Sequence, residues 1–376
     1  MKILQLASYY TVTTVFKNLF SEIIPYEDQI VFVPIRNKSE YGKNSTEDLR
    51  INYNQCLNLT DRIFFKKKIK KVQNTLEREI NLSEVKLIHA HTLFSDGAVA
   101  FRMFKERRIP YVITVRNTDL NIFFKYLWWL RPLGREIIAN SSMVIFTNHN
   151  YQKRLSDLMN GRPYKYSIIP NGVDDFWINN KSNQKYIANE KHLDFLYVGN
   201  FDKNKNIAQT VNYLEKLKSN RKELSIKLTI VGGGKSGRNE GDKSHYFAHK
   251  TKQLKSKIIE INYLGVIENK ESLLKAYRDS DFYIMLSKKE TFGLTYLEAM
   301  SQGLPIIYTA GEGISSFFND YEVGFSVNIK NDLLIDSKLE TVLNNYQSIS
   351  NNCINTVNDF RWSKVAENHI QIYSKL

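Results

Sequence analysis

The chain has 376 residues, 42% of them hydrophobic and 24% charged. That length exceeds what one core holds comfortably and suits two domains of about 150–200 residues. The composition excludes global disorder and fibrous architectures. With 53 Lys+Arg against 39 Asp+Glu, the net charge of +14 points to an acidic partner: nucleic acid, an anionic membrane or a phosphorylated ligand.

In chain order, short apolar runs alternate with helical stretches. Met1–Ser8 is too short for a signal peptide and reads as a first strand. In the first half the predicted strands are Ile3–Leu6, Ile30–Val33, Leu87–Ala90, Tyr111–Val115, Val144–Thr147 and Ser167–Ile169. In the second half they are Phe195–Val198, Leu228–Val231, Ile261–Leu264, Phe282–Leu286, Pro305–Thr309 and Val323–Val327. Runs that are apolar on both faces and separated by helices mark buried parallel strands. Two series of six predict two doubly wound α/β domains. The turn Ile169–Asp174 and the polar stretch Asn179–Lys185 separate them. This gives domains at 1–175 and 176–360, with a terminal helix over 361–376 packing back on the first. The glycine-containing loop from Gly232 to Lys243, with Gly234, Gly237 and Gly241, is expected to be mobile. It has no GxGxxG pattern, so it does not read as a dinucleotide loop. Cys56 and Cys353 stand alone, with no zinc-like cluster, which favours a reduced compartment. No segment approaches the roughly 18 uninterrupted apolar residues of a membrane span.

The most informative segment is Lys289–Met300. It follows the strand Phe282–Leu286, and Leu294, Leu297 and Met300 recur at helical spacing, so a helix begins near Gly293 and stops at Gly303–Pro305. A strand leading through glycine into a helix N-terminus directs backbone N–H groups and the helix dipole at an anion. Glu290 and Glu298 flank that point, eight residues apart. Carboxylates there would repel phosphates but suit sugar hydroxyls. An ordinary turn carrying two solvated glutamates is the other reading of the residues alone.

The spacing resembles the E-x7-E signature of the retaining family 4 glycosyltransferases of bacterial surface-polysaccharide type, which have the GT-B fold: two Rossmann-like domains facing across a cleft. Other segments are similar to that family in the same order: His89-Ala90-His91, Ile169–Asp174 ("I-P-N-G-V-D"), Val198–Asn206 ("V-G-R-L-x-x-x-K-G"), Asn262–Gly265, Asp281–Ser287, Glu298–Ile307 and Phe360–Tyr373. The resemblance spans the whole chain. It implies that Glu298 accepts hydrogen bonds from a nucleotide ribose and that Glu290 contacts hydroxyls of the donor sugar. The backbone of Phe292, Gly293 and Leu294 would lie nearby. Gly199, Asn200 and Lys205 would line the donor site, with Lys205 on the diphosphate and Gly265 near the base. It also implies no bound metal and no cofactor, the UDP- or GDP-sugar donor being a substrate. Two departures stand out. Asn200 replaces a common Arg, and Arg116 stands where His is common, so Arg116 is either a second cation for the donor or a structural arginine bonded to Asp119 or to loop carbonyls. His91, Asn117 and Asp119 become candidates for the acceptor side, with a packed, hydrogen-bonded histidine the alternative for His91.

Residues 1–175 carry 26 Lys+Arg against 17 Asp+Glu and hold most of the excess charge. Within them, Ile63–Lys71 includes Lys66 and Lys67, and Asn121–Pro132 includes Phe124, Trp128, Trp129 and Arg131. Aromatic anchors beside cations describe an interfacial membrane surface; a buried crossover helix and a solvated lysine face are the alternatives. The reading is a retaining hexosyltransferase, peripheral on the inner face of the cytoplasmic membrane. It would move a sugar from a nucleotide-sugar to a lipid-linked or oligosaccharide acceptor in surface polysaccharide assembly. The partners would be the nucleotide-sugar, the acceptor and an anionic membrane surface, not nucleic acid. A nucleotide-sugar epimerase-like enzyme and a non-catalytic carbohydrate-binding partner subunit are the rival readings.

Overall fold

The computed structural model of the chain describes residues 2–187, 189–233, 256–330 and 334–376. The predicted glycine loop lies outside the described residues from position 234 onward. The chain divides into two compact units, Met1–Asp174 with Arg361–Leu376, and Asp175–Phe360.

The first unit is a parallel sheet with helical crossovers. Its elements are β1 (Lys2–Leu6), α1 (Val15–Ile23), β2 (Gln29–Ile35), β3 (Ile51–Gln55), α2 (Phe65–Glu79), β4 (Val85–Ala90), α3 (Ser95–Arg107), β5 (Tyr111–Val115), α4 (Arg131–Ala139), β6 (Met143–Phe146), α5 (His149–Leu158) and β7 (Tyr166–Ile168). The strand order is β3-β2-β1-β4-β5-β6-β7, every pairing parallel. Strands apolar on both faces sit between two helical layers, as Ile3, Leu4, Ile88 and Ile113 show by complete burial. The sheet therefore has seven strands, not the six predicted. β3 escaped prediction because it is an edge strand of alternating polarity, Ile51-Asn52-Tyr53-Asn54-Gln55, and only half-buried.

The aromatic stretch predicted at Asn121–Pro132 is not one helix. It forms a π-helical turn over Asp119–Phe124 and a 3-10 turn over Trp128–Leu130 before α4. These turns rotate successive side chains to different sides. Trp128 and Trp129 stay exposed, whereas Phe124 joins the core at 1% exposure, edge-on to Phe94. The expectation that Phe124 faces a membrane is thereby corrected.

The second unit has α6 (Asp175–Asn179), β8 (His192–Val198), α7 (Ile207–Asn220), β9 (Ser225–Val231), β10 (Glu260–Gly265), α8 (Lys270–Arg278), β11 (Phe282–Met285), α9 (Leu294–Ser301), β12 (Ile306–Thr309), β13 (Gly324–Val327), α10 (Ile335–Asn344) and α11 (Tyr346–Thr356). Its described strands form a parallel sheet in the order β10-β9-β8-β11-β12-β13. The polar stretch after α6 is held inside this unit, with Ser182 N donating to Ser301 O at 3.0 Å and Gln302 Nε2 donating to Asn180 O at 3.1 Å. The last helix, α12 (Trp362–Tyr373), packs on α1 in the first unit. Cys56 and Cys353 are both free and buried. No helix among the described residues is long and apolar enough to cross a membrane.

Candidate active site

In an open parallel sheet, ligands bind outside the carboxyl ends of the strands where the strand order reverses. In the second unit that point lies between β8 and β11, which are neighbours although β9 and β10 intervene in sequence. The loops leaving these two strands are Gly199–Asn206 and Leu286–Gly293. They are joined by Lys288 N donating to Asn204 O at 2.7 Å and by Asn206 Nδ2 donating to Leu286 O at 3.3 Å. Across the junction Lys205 Nζ donates to Glu290 Oε2 at 2.6 Å. The side chains are 24% and 12% exposed, so the pair is largely withdrawn from solvent.

Glu290 is fixed from several directions. Thr291 N donates to its Oε1 at 3.1 Å, and its own N–H donates to Glu312 Oε2 at 3.1 Å. Its carbonyl accepts from Gly313 N at 3.1 Å. Glu312 and Gly313 come from the turn after β12, and the sequence reading did not single them out. The signal was present: Gly311-Glu312-Gly313 directly follows a buried strand. Gly313 sits at φ +49°, where an added Cβ would lie 2.8 Å from both Glu290 Cγ and Phe292 O. Gly313→Ala is therefore expected to cost about 1–3 kcal/mol, to displace Glu290, and to weaken nucleotide-sugar binding in a titration. Unchanged binding would remove this turn from the site.

Gly293 caps α9 in the left-handed region at φ +90°. An added Cβ there would meet the Tyr296 ring at 2.5 Å. Three tyrosines that the sequence reading missed brace this turn. Tyr296 donates to Met285 O at 2.5 Å, Tyr283 to Thr295 Oγ1 at 2.6 Å, and Tyr277 to Glu298 Oε2 at 2.8 Å. Burial pushes all three phenols well above their ordinary range, so they act as neutral donors. Phe292 is buried, with its ring against Phe317 and Phe360, which leaves only its backbone for a ligand.

The remaining donor-side candidates gather on the same edge. Gly199 N donates to Val231 O at 3.0 Å, and Gly232 N to Gly265 O at 2.7 Å. The carboxyl ends of β8, β9 and β10 thus stand side by side. Asn200 Oδ1 is buried without a hydrogen-bond partner among the described residues, an acceptor that a bound donor group would satisfy. Leu294 opens α9, and Glu298 lies one turn further along it.

The acceptor-side candidates belong to the first unit and two of them are sealed in. His91 is fully buried, its Nε2 paired with Gln5 Oε1 at 2.8 Å. It stacks on His89 with ring centroids 3.9 Å apart, and His89 in turn pairs with Tyr373 Oη at 2.7 Å and Thr114 Oγ1 at 2.8 Å. Asp119 is 1% exposed and accepts backbone N–H groups from Leu93, Phe94 and Arg116. His91 takes the packed, hydrogen-bonded alternative, and Asp119 is closed over by backbone donors instead of lying open to an acceptor. Asn117 is half-buried and accepts from Asn121 Nδ2 at 2.5 Å. Arg116 Nε donates to His91 O at 3.4 Å, and the guanidinium lies 5.0 Å from the Phe16 ring centroid. Burial lowers its pKa to about 10, which leaves it charged at neutral pH.

The histidine layer gives a pH prediction. Burial holds His89 and His91 well below the usual histidine range and His369 down to about 4. Arg116 pushes all three the same way and the neighbouring histidines add to this for His89 and His91, while the bond to the Val365 carbonyl raises His369 in part. Unfolded histidines protonate from about pH 6.5 downward while these do not. Stability from keeping them neutral is therefore present above about pH 6.5 and is lost as pH falls toward 4. Asp96 and Asp119, pushed up to about 6 by burial, act in the opposite direction, so a difference measurement isolates the histidine. His369→Gln is expected to lose about 2 kcal/mol less than the parent between pH 7 and pH 5 in urea titrations. Equal losses would contradict the assignment.

Of the predicted membrane residues other than Phe124, Lys66, Lys67, Trp128 and Trp129 are exposed, and Arg131 is half-buried with its Nε on Phe124 O at 2.7 Å. Ile63, Phe64, Ile122 and Tyr126 are exposed beside them in the same two segments.

Two family models match the chain: Glycosyltransferase Family 4 over residues 35–175 and Glycosyl transferases group 1 over residues 179–358. Among curated proteins it is similar to the putative teichuronic acid biosynthesis glycosyltransferase TuaC of Bacillus subtilis, 24% identical over 63% of this chain and 56% of the relative. It is also similar to the alpha-monoglucosyldiacylglycerol synthase of Acholeplasma laidlawii, 26% identical over 69% of this chain and 67% of the relative. The matched stretch thus spans little more than half the length of TuaC. Among solved structures, HepE of Anabaena in complex with UDP has a TM-score of 0.73 at 15% identity, covering 100% of both chains. Sucrose-phosphate synthase of Thermosynechococcus elongatus has a TM-score of 0.74 at 16% identity, covering 100% of this chain and 99% of the other. A Glycosyltransferase Family 4 model thus matches the first unit and a Glycosyl transferases group 1 model the second, each unit carries a parallel sheet, and the fold is that of the GT-B glycosyltransferases.

Proposed function

We propose that this chain is a retaining hexosyltransferase that moves a sugar from a nucleotide-diphosphate sugar to a hydroxyl of a lipid-linked or oligosaccharide acceptor in surface polysaccharide assembly. It works at the inner face of the cytoplasmic membrane and needs no metal or other cofactor. The observation that carries the reading is the Lys205–Glu290 pair, 2.6 Å apart, at the reversal point of the second sheet and beside the start of α9. An ammonium there neutralises charge that builds on a departing diphosphate, and a carboxylate there orients sugar hydroxyls. The start of α9 adds its backbone N–H groups for the phosphates, and Glu298 takes the ribose. UDP in the HepE complex supports a uridine nucleotide. The names of TuaC and of the diacylglycerol-directed relative support surface polymer and membrane lipid as the setting. The exposed tryptophans and lysines of the first unit support peripheral attachment, at about 1 kcal/mol per cation near an anionic leaflet.

The test is a thermal-shift screen of UDP- and GDP-sugars, followed by transfer with the sugar that binds. At a hundredfold excess over Kd a true donor stabilises the native state by about 2.7 kcal/mol. If no nucleotide-sugar moves the midpoint, the transferase reading is wrong. Conversion of the donor to an epimer without acceptor would replace it with an epimerase.

A further inference from the structure

The Glu298 carboxylate is held from outside its own helix. Tyr277, the next-to-last residue of α8, is fully buried, and its Oη donates to Glu298 Oε2 at 2.8 Å. The other acceptor in reach, Thr295 O, lies at 3.4 Å. A phenol has one hydrogen to donate, and the shorter contact to a carboxylate takes it. Burial first, and then the Glu298 charge, push the phenol well above its ordinary range, so the proton stays on Tyr277.

Tyr277 is itself locked in place. Its ring stands edge-on to Trp177 of α6, with centroids 5.3 Å apart, and lies 6.0 Å from the Tyr283 ring. Trp177 and Tyr283 are both buried. The next residue, Arg278, reaches α9 one turn further along, its Nε donating to Gln302 Oε1 at 3.1 Å. Glu298 and Gln302 are four positions apart and share a helix face. Two consecutive residues of α8 thus grip one face of α9, and the grip includes the glutamate read as the ribose acceptor. Glu298 is only half-buried. A long side chain in that setting would otherwise exchange rotamers and lose that freedom on binding a ligand. A carboxylate offers about four lone-pair positions, so accepting from one phenol does not exclude accepting from ligand hydroxyls.

We propose that Tyr277 is a positioning residue for nucleotide recognition: it holds the Glu298 carboxylate in the orientation that accepts ribose hydroxyls, and so makes the site select ribonucleotides over nucleotides that lack those hydroxyls. The inference deepens the transferase reading and rests on it for placing the ribose at Glu298. A tyrosine that merely packed α8 against α9 would support every nucleotide equally, whereas a positioning tyrosine acts only where there are hydroxyls to receive.

The test is a binding cycle on the full chain by calorimetry, using UDP, GDP and their dideoxy analogues, which lack both ribose hydroxyls. The proteins are the parent, Tyr277→Phe, Glu298→Ala and the double variant. Phenylalanine keeps the ring against Trp177 and removes only the donor. The parent is expected to bind the ribonucleotide at least about tenfold more tightly than its dideoxy analogue. Tyr277→Phe is expected to weaken the ribonucleotide about two- to tenfold, the cost of ordering one flexible side chain on binding. It leaves the dideoxy analogue within about twofold, which also shows that the variant is folded and its site intact. In the Glu298→Ala background the same substitution changes ribonucleotide binding by less than about twofold. Ribonucleotide binding by Tyr277→Phe equal to the parent's overturns the inference. Equal weakening of both nucleotides, or the same loss in the Glu298→Ala background, overturns it too, because the tyrosine then acts through packing. A parent that binds the ribonucleotide and its dideoxy analogue alike overturns the placing of the ribose at Glu298, and the inference with it. A parent that binds neither UDP nor GDP sinks the transferase reading itself.

Discussion

Replacing Lys205 with Ala is expected to lower kcat/KM for sugar transfer about a hundred- to a thousandfold, or about 2.7–4 kcal/mol of transition-state stabilisation. Cleavage of a nucleotide-sugar moves negative charge onto the diphosphate, so a cation at that point gains more in the transition state than in the ground state. The fall should appear mainly in kcat. Lys205 reaches the site because Asp202 Oδ1 accepts its backbone N–H at 2.9 Å, turning the loop after β8 toward Glu290. The substitution also strands the Glu290 carboxylate, 12% exposed, without its cation. Lys205→Ala with Glu290→Gln separates the two effects. If charge on the diphosphate dominates, the double variant stays as slow as Lys205→Ala; if the stranded carboxylate dominates, it recovers. Turnover within threefold of the parent would remove Lys205 from the reaction.

The second large effect is structural. Asp119→Ala is expected to destabilise the protein by at least about 3 kcal/mol in denaturant titrations. The carboxylate accepts Arg116 N at 2.8 Å, Leu93 N at 3.1 Å and Phe94 N at 3.3 Å. Each buried donor left unmet costs about 1–3 kcal/mol. That is a large share of a typical total of about 5–15 kcal/mol. These contacts tie the turn after β5 to the segment between β4 and α3, where Leu93 and Phe94 are fully buried. Asp119→Asn keeps an acceptor oxygen and is expected to cost less than half as much. A loss under about 1 kcal/mol for Asp119→Ala would mean the N–H groups find other partners.

The parallel sheets, the helix beginning at Gly293 and the place of Glu290 before it were legible in the sequence. Buried parallel strands are apolar on both faces and cannot be mistaken for surface, and a helix start is encoded within a few residues. The edge strand β3 was not legible, since one half-exposed pairing demands no apolar run. What touches Glu290 was legible only in part: the family resemblance put Lys205 at the same donor site, but neither their direct pair nor the turn at Gly313. Lys205 lies 85 positions away and Gly313 belongs to another strand's loop; only the order β8-β11-β12 brings them together. The same holds for His91 and Asp119, which have the residue types of a reactive site but are enclosed by Gln5, Leu93, Phe94 and the His89 ring. Residue type and spacing set what a side chain can do. Tertiary packing decided whether it meets solvent, a ligand or another side chain, because burial depends on neighbours that local sequence does not specify.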